Sequence, residues 1–304
     1  MLRRTKLAAA ITTATVALAG PVVVAGPAAQ AATPDHSAHK PVRVVMTNAG
    51  FTLPKETRAG FVTFAVSTED AGGHELQGVQ LHKGVSLAKF TAELRLAVSN
   101  DPKQAAAGIS AAERDATAVG GASVEPSTAV DVTIPLCRGT YYFFDFTQLF
   151  VPNAAITYHK LEAKGRFEGR TPAHGAEIDQ VETKAGPRFV TPKAIDPDDT
   201  ILVRNKADEF HEAMFQRVNR GVDNAKLTKF FNALKNGQNP GFNPFAENVS
   251  RGAAAISGGR IELIRFHAQR GHYALLCFIP DNQSGIPHAF LGMHAVVRLA
   301  ESSS

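Results

Sequence analysis

Four side chains in the second half of this chain could hold one metal ion between them: His211, Cys277, His288 and Met293. Cys277 and His288 are eleven positions apart, and His288 and Met293 five. One thiolate, two imidazoles and a weak thioether make the donor set of a type 1 copper centre. Thiolate and thioether are soft and suit Cu(I), while imidazole holds Cu(II). Such a set keeps its metal in both oxidation states, as electron transfer requires.

The elements that must position these residues occur twice. The segment GHELQGVQLHKGVSLAKF (73–90) aligns without gaps on FHEAMFQRVNRGVDNAKL (210–227), and GTYYFFDF (139–146) aligns on GHYALLCF (271–278). Repeats of this length predict two copies of one small domain. The copies differ where chemistry would sit. His74 matches His211, but Asp145 stands where the second copy has Cys277, and no His–Met pair follows it. The first copy is therefore expected to be metal-free.

Short β-branched and aromatic runs separated by Gly, Pro and Asn predict strands at 42–46, 51–54, 60–66, 76–81, 129–134, 141–146 and 156–161. In the second copy the same signals fall at 200–205, 212–218, 260–266, 273–278 and 295–299. Helical spacing appears at Leu87, Phe90 and Leu94, more weakly over 105–118, and at Leu227, Phe230, Phe231 and Leu234. The expected fold is all-β: two tandem Greek-key β-sandwiches, each with a short helical insertion.

The amino terminus reads as a secretion signal over 1–31. Arg3, Arg4 and Lys6 precede an apolar run, and Ala29-Gln30-Ala31 offers a cleavage site. Pro21 and Pro27 interrupt that run before it reaches membrane-spanning length. No integral membrane segment is expected after cleavage, and the product is expected outside the cell or in its envelope. A polar leader (32–40) follows, then domain 1 (41–165), a linker (166–173), domain 2 (174–300) and a tail (301–304). Without the signal, 29 basic residues face 28 acidic ones, so the charge gives no footprint for nucleic acid. Cys137 lies opposite Gln269 in the repeat alignment and so does not match Cys277. A disulfide between the two cysteines is not expected.

The carboxy-terminal pattern Cys277-Phe278-Ile279-Pro280-Asp281, then Pro287-His288 and Gly292-Met293, resembles the cupredoxins, closest to secreted bacterial cupredoxin-like domains. Asn205 and His211 are similar to the loop where that family places its first histidine. The resemblance covers about 174–300 well and 41–165 more loosely. It implies a two-sheet sandwich with one copper per chain at His211, Cys277, His288 and Met293, serving electron transfer or copper carriage with a redox partner or envelope protein. The chain departs from the family in its longer loop: ten residues (278–287) separate the cysteine from the second histidine, and ordering them costs entropy. The alternative expectation is a metal-free binding or scaffold module that retains the fold.

Other chemistries lack their residues. After His211-Glu212 a zincin helix needs histidine at 215, which is Phe215. There is no Gly-x-Ser-x-Gly elbow and no His-x-His pair for a trinuclear copper cluster. No catalytic residue is assigned.

Overall fold

The computed structural model describes residues 40–300. The expected signal peptide, the leader up to residue 39 and the tail 301–304 lie outside the described residues. Alternation of inward and outward side chains builds the first half. In β1 (Val42–Met46) Val44 and Met46 are buried, and in β2 (Glu56–Thr68) Val62, Phe64 and Val66 are, the period of two that a half-buried strand requires. β3 (His74–Leu81) follows, then α1 (Leu87–Ala97) and α2 (Pro102–Asp115). Ser86 caps α1 by accepting from Lys89 N–H, and Asp101 caps α2 with Pro102 in its first turn. β4 (Ala116–Val124), β5 (Val130–Leu136), β6 (Gly139–Asp145), a 3-10 turn (Phe146–Phe150) and β7 (His159–Glu168) complete this half.

The second half runs β8 (Ala176–Thr183), β9 (Gly186–Val190), β10 (Ala194–Ile195), β11 (Ile201–Asn205), β12 (His211–Arg217), α3 (Asn224–Lys235), β13 (Arg251–Ile256), β14 (Ile261–Phe266), β15 (Gly271–Leu276), the one-turn α4 (His288–Leu291) and β16 (His294–Leu299). Its pairings repeat those of the first. β3 lies antiparallel between β4 and β6 as β12 does between β13 and β15, and β1 runs parallel to β2 as β8 does to β11. The expectation of a mostly β chain built as two Greek-key sandwiches holds.

The halves join edge to edge on both sheets. β4 pairs antiparallel with β13, with Ala122 opposite Ala253, and β5 pairs antiparallel with β14, with Val132 opposite Ile264. One hydrophobic cluster runs through the joint, from Phe64 and Phe143 to Phe215 and Phe266. Polar clamps cross it as well. The Gln77 side chain donates to Ala255 O and accepts from Ala255 N–H, and the Glu262 carboxylate accepts from Gly121 N–H at 3.0 Å. No described helix is long and apolar enough to cross a membrane.

Two expectations are corrected. Residues 51–54 form no strand. The helical reading of 105–118 ends at Asp115, because ATAVGGASV enters the sheet as β4. Both helical stretches read in the first half are present, as α1 and α2. β4 and β13 escape a β-branched signal because their neighbours β3 and β12 approach too closely for a side chain at a glycine in each. A Cβ built on Gly121 would overlap Leu76 O, and one on Gly252, held at φ +143°, would overlap Ala213 O. Gly121→Ala is expected to force β3 and β4 apart and to destabilise the chain by about 2 kcal/mol or more. Thermal unfolding followed by circular dichroism measures this; an unchanged melting temperature would contradict the close approach.

Candidate metal centre

His211 opens β12, Cys277 follows β15 directly, and His288 opens α4. Local hydrogen bonds bring these three points together. Asn205, fully buried at the end of β11, donates to Glu209 O at 2.7 Å and Ile256 O at 2.9 Å and accepts from Ala207 N–H at 2.9 Å. The turn leading to His211 is thereby fixed. The ten-residue loop after Cys277 folds back as a closed hairpin. Asp281 N–H donates to Ile286 O, and the Asp281 carboxylate accepts from the Gln283 and Ser284 amides. Gly285 takes the left-handed turn (φ +68°) that closes it. His288 N–H then donates to Ile279 O, and Ala289 N–H to Cys277 O. The long loop returns its histidine to the cysteine.

The donor atoms converge. His211 Nδ1 and His288 Nδ1 are 3.1 Å apart, and they lie 3.7 and 3.5 Å from Cys277 Sγ. For a triangle with these sides, the equidistant point lies about 2.0 Å from each corner, roughly the bond length of a first-row ion to imidazole nitrogen. All three residues are buried to within 1% of full burial. Met293 is also fully buried, shares its hydrophobic cluster with Cys277, and donates its N–H to His288 O at 2.9 Å.

Proton bookkeeping favours a cation at that point. Glu209 Oε2 lies 3.2 Å from His288 Nε2. An ionised carboxylate only accepts, so Nε2 carries the proton and Nδ1 turns its lone pair inward. His211 Nε2 is buried without a partner. Burial, and then the neighbouring His288, hold the His211 imidazole down to about 3, so it stays neutral. Burial pushes the Cys277 thiol up. Two imidazole nitrogens and a thiol sulfur thus face one buried point with few protons among them. The arrangement fits one soft-to-borderline metal ion.

In the first half the equivalent positions are locked by protons. His74 Nδ1 lies 2.6 Å from Asp145 Oδ2, and His74 Nε2 lies 3.0 Å from Asp70 Oδ2. Asp145 further accepts from Thr147 N–H and Oγ1–H. Both imidazole nitrogens are engaged, and no thiol stands opposite. Both cysteines are free, Cys137 exposed and Cys277 buried.

Several residues around the centre carried no sequence signal of their role. Glu209 orients His288 from two positions before His211. Glu113, in the Ala-rich α2 of the other half, accepts from Phe210 N–H at 2.7 Å and Asn282 Nδ2–H at 2.8 Å. Glu212 accepts from Phe278 N–H at 2.6 Å, and burial raises its carboxyl to about 7. The exposed Phe278 faces a cleft of about 750 Å³ between the α1–α2 turn and the end of α3.

No protein-family model matches the chain, and no curated protein does. Among solved structures, it is similar to a reduced auracyanin from Roseiflexus castenholzii, at 17% identity and a TM-score of 0.26 over 41% of this chain and 95% of that one. It is also similar to a copper nitrite reductase from Nitrosomonas europaea, at 11% identity and a TM-score of 0.25 over 86% of this chain and 94% of that one. A multicopper oxidase from Aquifex aeolicus matches at 9% identity and a TM-score of 0.23, over 86% and 65% of the two chains.

Proposed function

We propose that this chain is an exported cupredoxin-like protein that holds one copper ion in its second half and serves single-electron transfer or copper carriage. Cys277, His211 and His288 would hold the ion, and Met293, buried in the same cluster as Cys277, would offer a weaker thioether. The observation that supports this reading is the convergence of Sγ and the two Nδ1 atoms on one buried point. Copper, when bound, supplies a one-electron couple. The chain's own residues supply the rest. Glu209 fixes the tautomer of His288, Asn205 fixes the turn before His211, and the apolar cluster of Phe144, Phe210, Ile279 and Met293 keeps water away. Three strong donors with a thioether suit copper better than zinc, which prefers four tetrahedral ligands in a closed site.

Export is read from the amino-terminal charge, apolar run and cleavage pattern. The partner is a redox protein or another component of the envelope. The first half, with His74 held between Asp145 and Asp70, acts without metal of its own.

The test is titration of the mature chain with Cu(II). One tight equivalent is expected, with intense visible thiolate-to-copper absorption that bleaches on reduction and returns on reoxidation with the metal retained. A colourless complex, or one that loses copper on reduction, would support the metal-free module. The affinity should also depend on pH. Cys277 is a thiol in the metal-free protein and a thiolate in the complex, while His211 is neutral in both. Binding therefore releases one proton, and the apparent dissociation constant should fall about tenfold per pH unit between roughly pH 6 and 8. A pH-independent affinity would contradict thiolate ligation.

A further inference from the structure

We infer that the first half completes the metal centre of the second, with Glu113 of α2 as the positioning residue that holds both ligand-bearing loops in register. This rests on the copper reading above. The Glu113 carboxylate bridges two segments that are remote in sequence. Its Oε1 accepts from Phe210 N–H, immediately before His211, and its Oε2 accepts from Asn282 Nδ2–H, inside the loop between Cys277 and His288. One rigid group on a helix of the opposite half thus sets the spacing between the strand that delivers one imidazole and the loop that delivers the other.

The connection continues to the second imidazole. Asn282 N–H donates to Glu209 Oε2 at 2.9 Å, and the same oxygen lies 3.2 Å from His288 Nε2. Ser110, one turn before Glu113 on α2, donates through Oγ to Asn282 O at 3.3 Å. The path from α2 through Asn282 and Glu209 to His288 is therefore hydrogen-bonded at every step. Apolar packing reinforces it: Ile109 and Ala112 of α2 share one buried cluster with Phe210, Cys277, Ile279 and Met293. Carboxylates that hold ligand loops tune metal affinity through orientation, and losing such a partner typically weakens binding about 10- to 100-fold.

The chemistry of the clamp gives its own test, made on the full mature chain. Glu113→Ala removes both acceptors. Asn282→Asp sets a carboxylate against a carboxylate and should do comparable damage. Combining Asn282→Asp with Glu113→Gln reverses the polarity of the pair. The introduced amide then donates to the introduced carboxylate, and its oxygen still accepts from Phe210 N–H. Copper affinity, the visible spectrum and, in metal-free protein, the exchange rate of the Phe210 amide are the readouts. Melting temperatures measured alongside separate loss of fold from loss of positioning.

The expected result is a dissociation constant about 10- to 100-fold higher for each single variant, faster Phe210 exchange, and recovery in the swapped double variant. If Glu113→Ala binds copper with unchanged affinity and spectrum, or the double variant is no better than Asn282→Asp, the positioning role is wrong and the copper reading stands. If the unmodified chain binds no copper, both fall.

Discussion

Cys277→Ser is expected to abolish visible thiolate-to-copper absorption and to weaken copper binding by well over a hundredfold, leaving the metal-free fold nearly unchanged. The size of the effect follows from the donor set. The thiolate is the one anionic ligand at a point otherwise lined by two imidazoles and hydrocarbon. A serine hydroxyl in that apolar setting stays protonated and is a poor ligand for Cu(I). Loss of an orienting partner alone costs up to about 100-fold, and loss of a direct ligand exceeds that. The proton released on binding should vanish as well, because no thiol remains to ionise. Serine and cysteine differ little in volume, so the melting temperature of the metal-free variant should move by only a few degrees. A Cys277→Ser protein that stays coloured would place the metal elsewhere.

Arg251→Ala should be the most damaging single change to stability, at about 3–5 kcal/mol. Arg251 is 3% exposed at the start of β13, with its guanidinium 2.8 Å from Glu125 Oε1 of the first half and 2.7 Å from Glu247 Oε1. It also lies 5.7 Å from the ring centre of Tyr273. Removing it strands the buried Glu125 carboxylate at the joint between the halves. Burial alone would push that carboxyl up, but hydrogen bonds from Ser127 and Thr128 and the charge of Arg251 outweigh burial and hold it below the usual range. A carboxyl depressed in the folded state contributes stability above its unfolded pKa, and that contribution is lost as pH falls through the folded value. Without Arg251, Glu125 should protonate more readily. The deficit of the variant should accordingly be largest near neutral pH and shrink below about pH 4. Denaturant unfolding across this range gives the answer; a pH-independent loss under about 1 kcal/mol would mean that the ion pair is ornamental.

The candidate site was legible in the sequence because donor types survive any fold. Cys277, His288 and Met293 stand in order near the carboxy terminus, and the repeat alignment tied His211 to His74. The same comparison marked Asp145 as standing where the second copy has Cys277, and in the structure its carboxylate lies 2.6 Å from His74 Nδ1. The strands were legible where β-branched and aromatic residues alternate, as in β2 and β14. They were not at β4 and β13, where Gly121 and Gly252 answer to the close backbone approach of β3 and β12, their neighbours within each half. Helical spacing in 105–118 likewise overran into β4: Ala116 and Ala118 favour helix locally, and pairing with β3 overrides that preference. Glu113 could not have been found from spacing. Its partners Phe210 and Asn282 are brought to it only by the docking of one half on the other.

X-ray absorption at the copper edge of the loaded chain tests the central claim most directly. The expected result is a first shell of one short copper–sulfur contact and two nitrogen contacts at about 2.0 Å, from Cys277, His211 and His288. A shell of nitrogen and oxygen alone, with no sulfur, would contradict it.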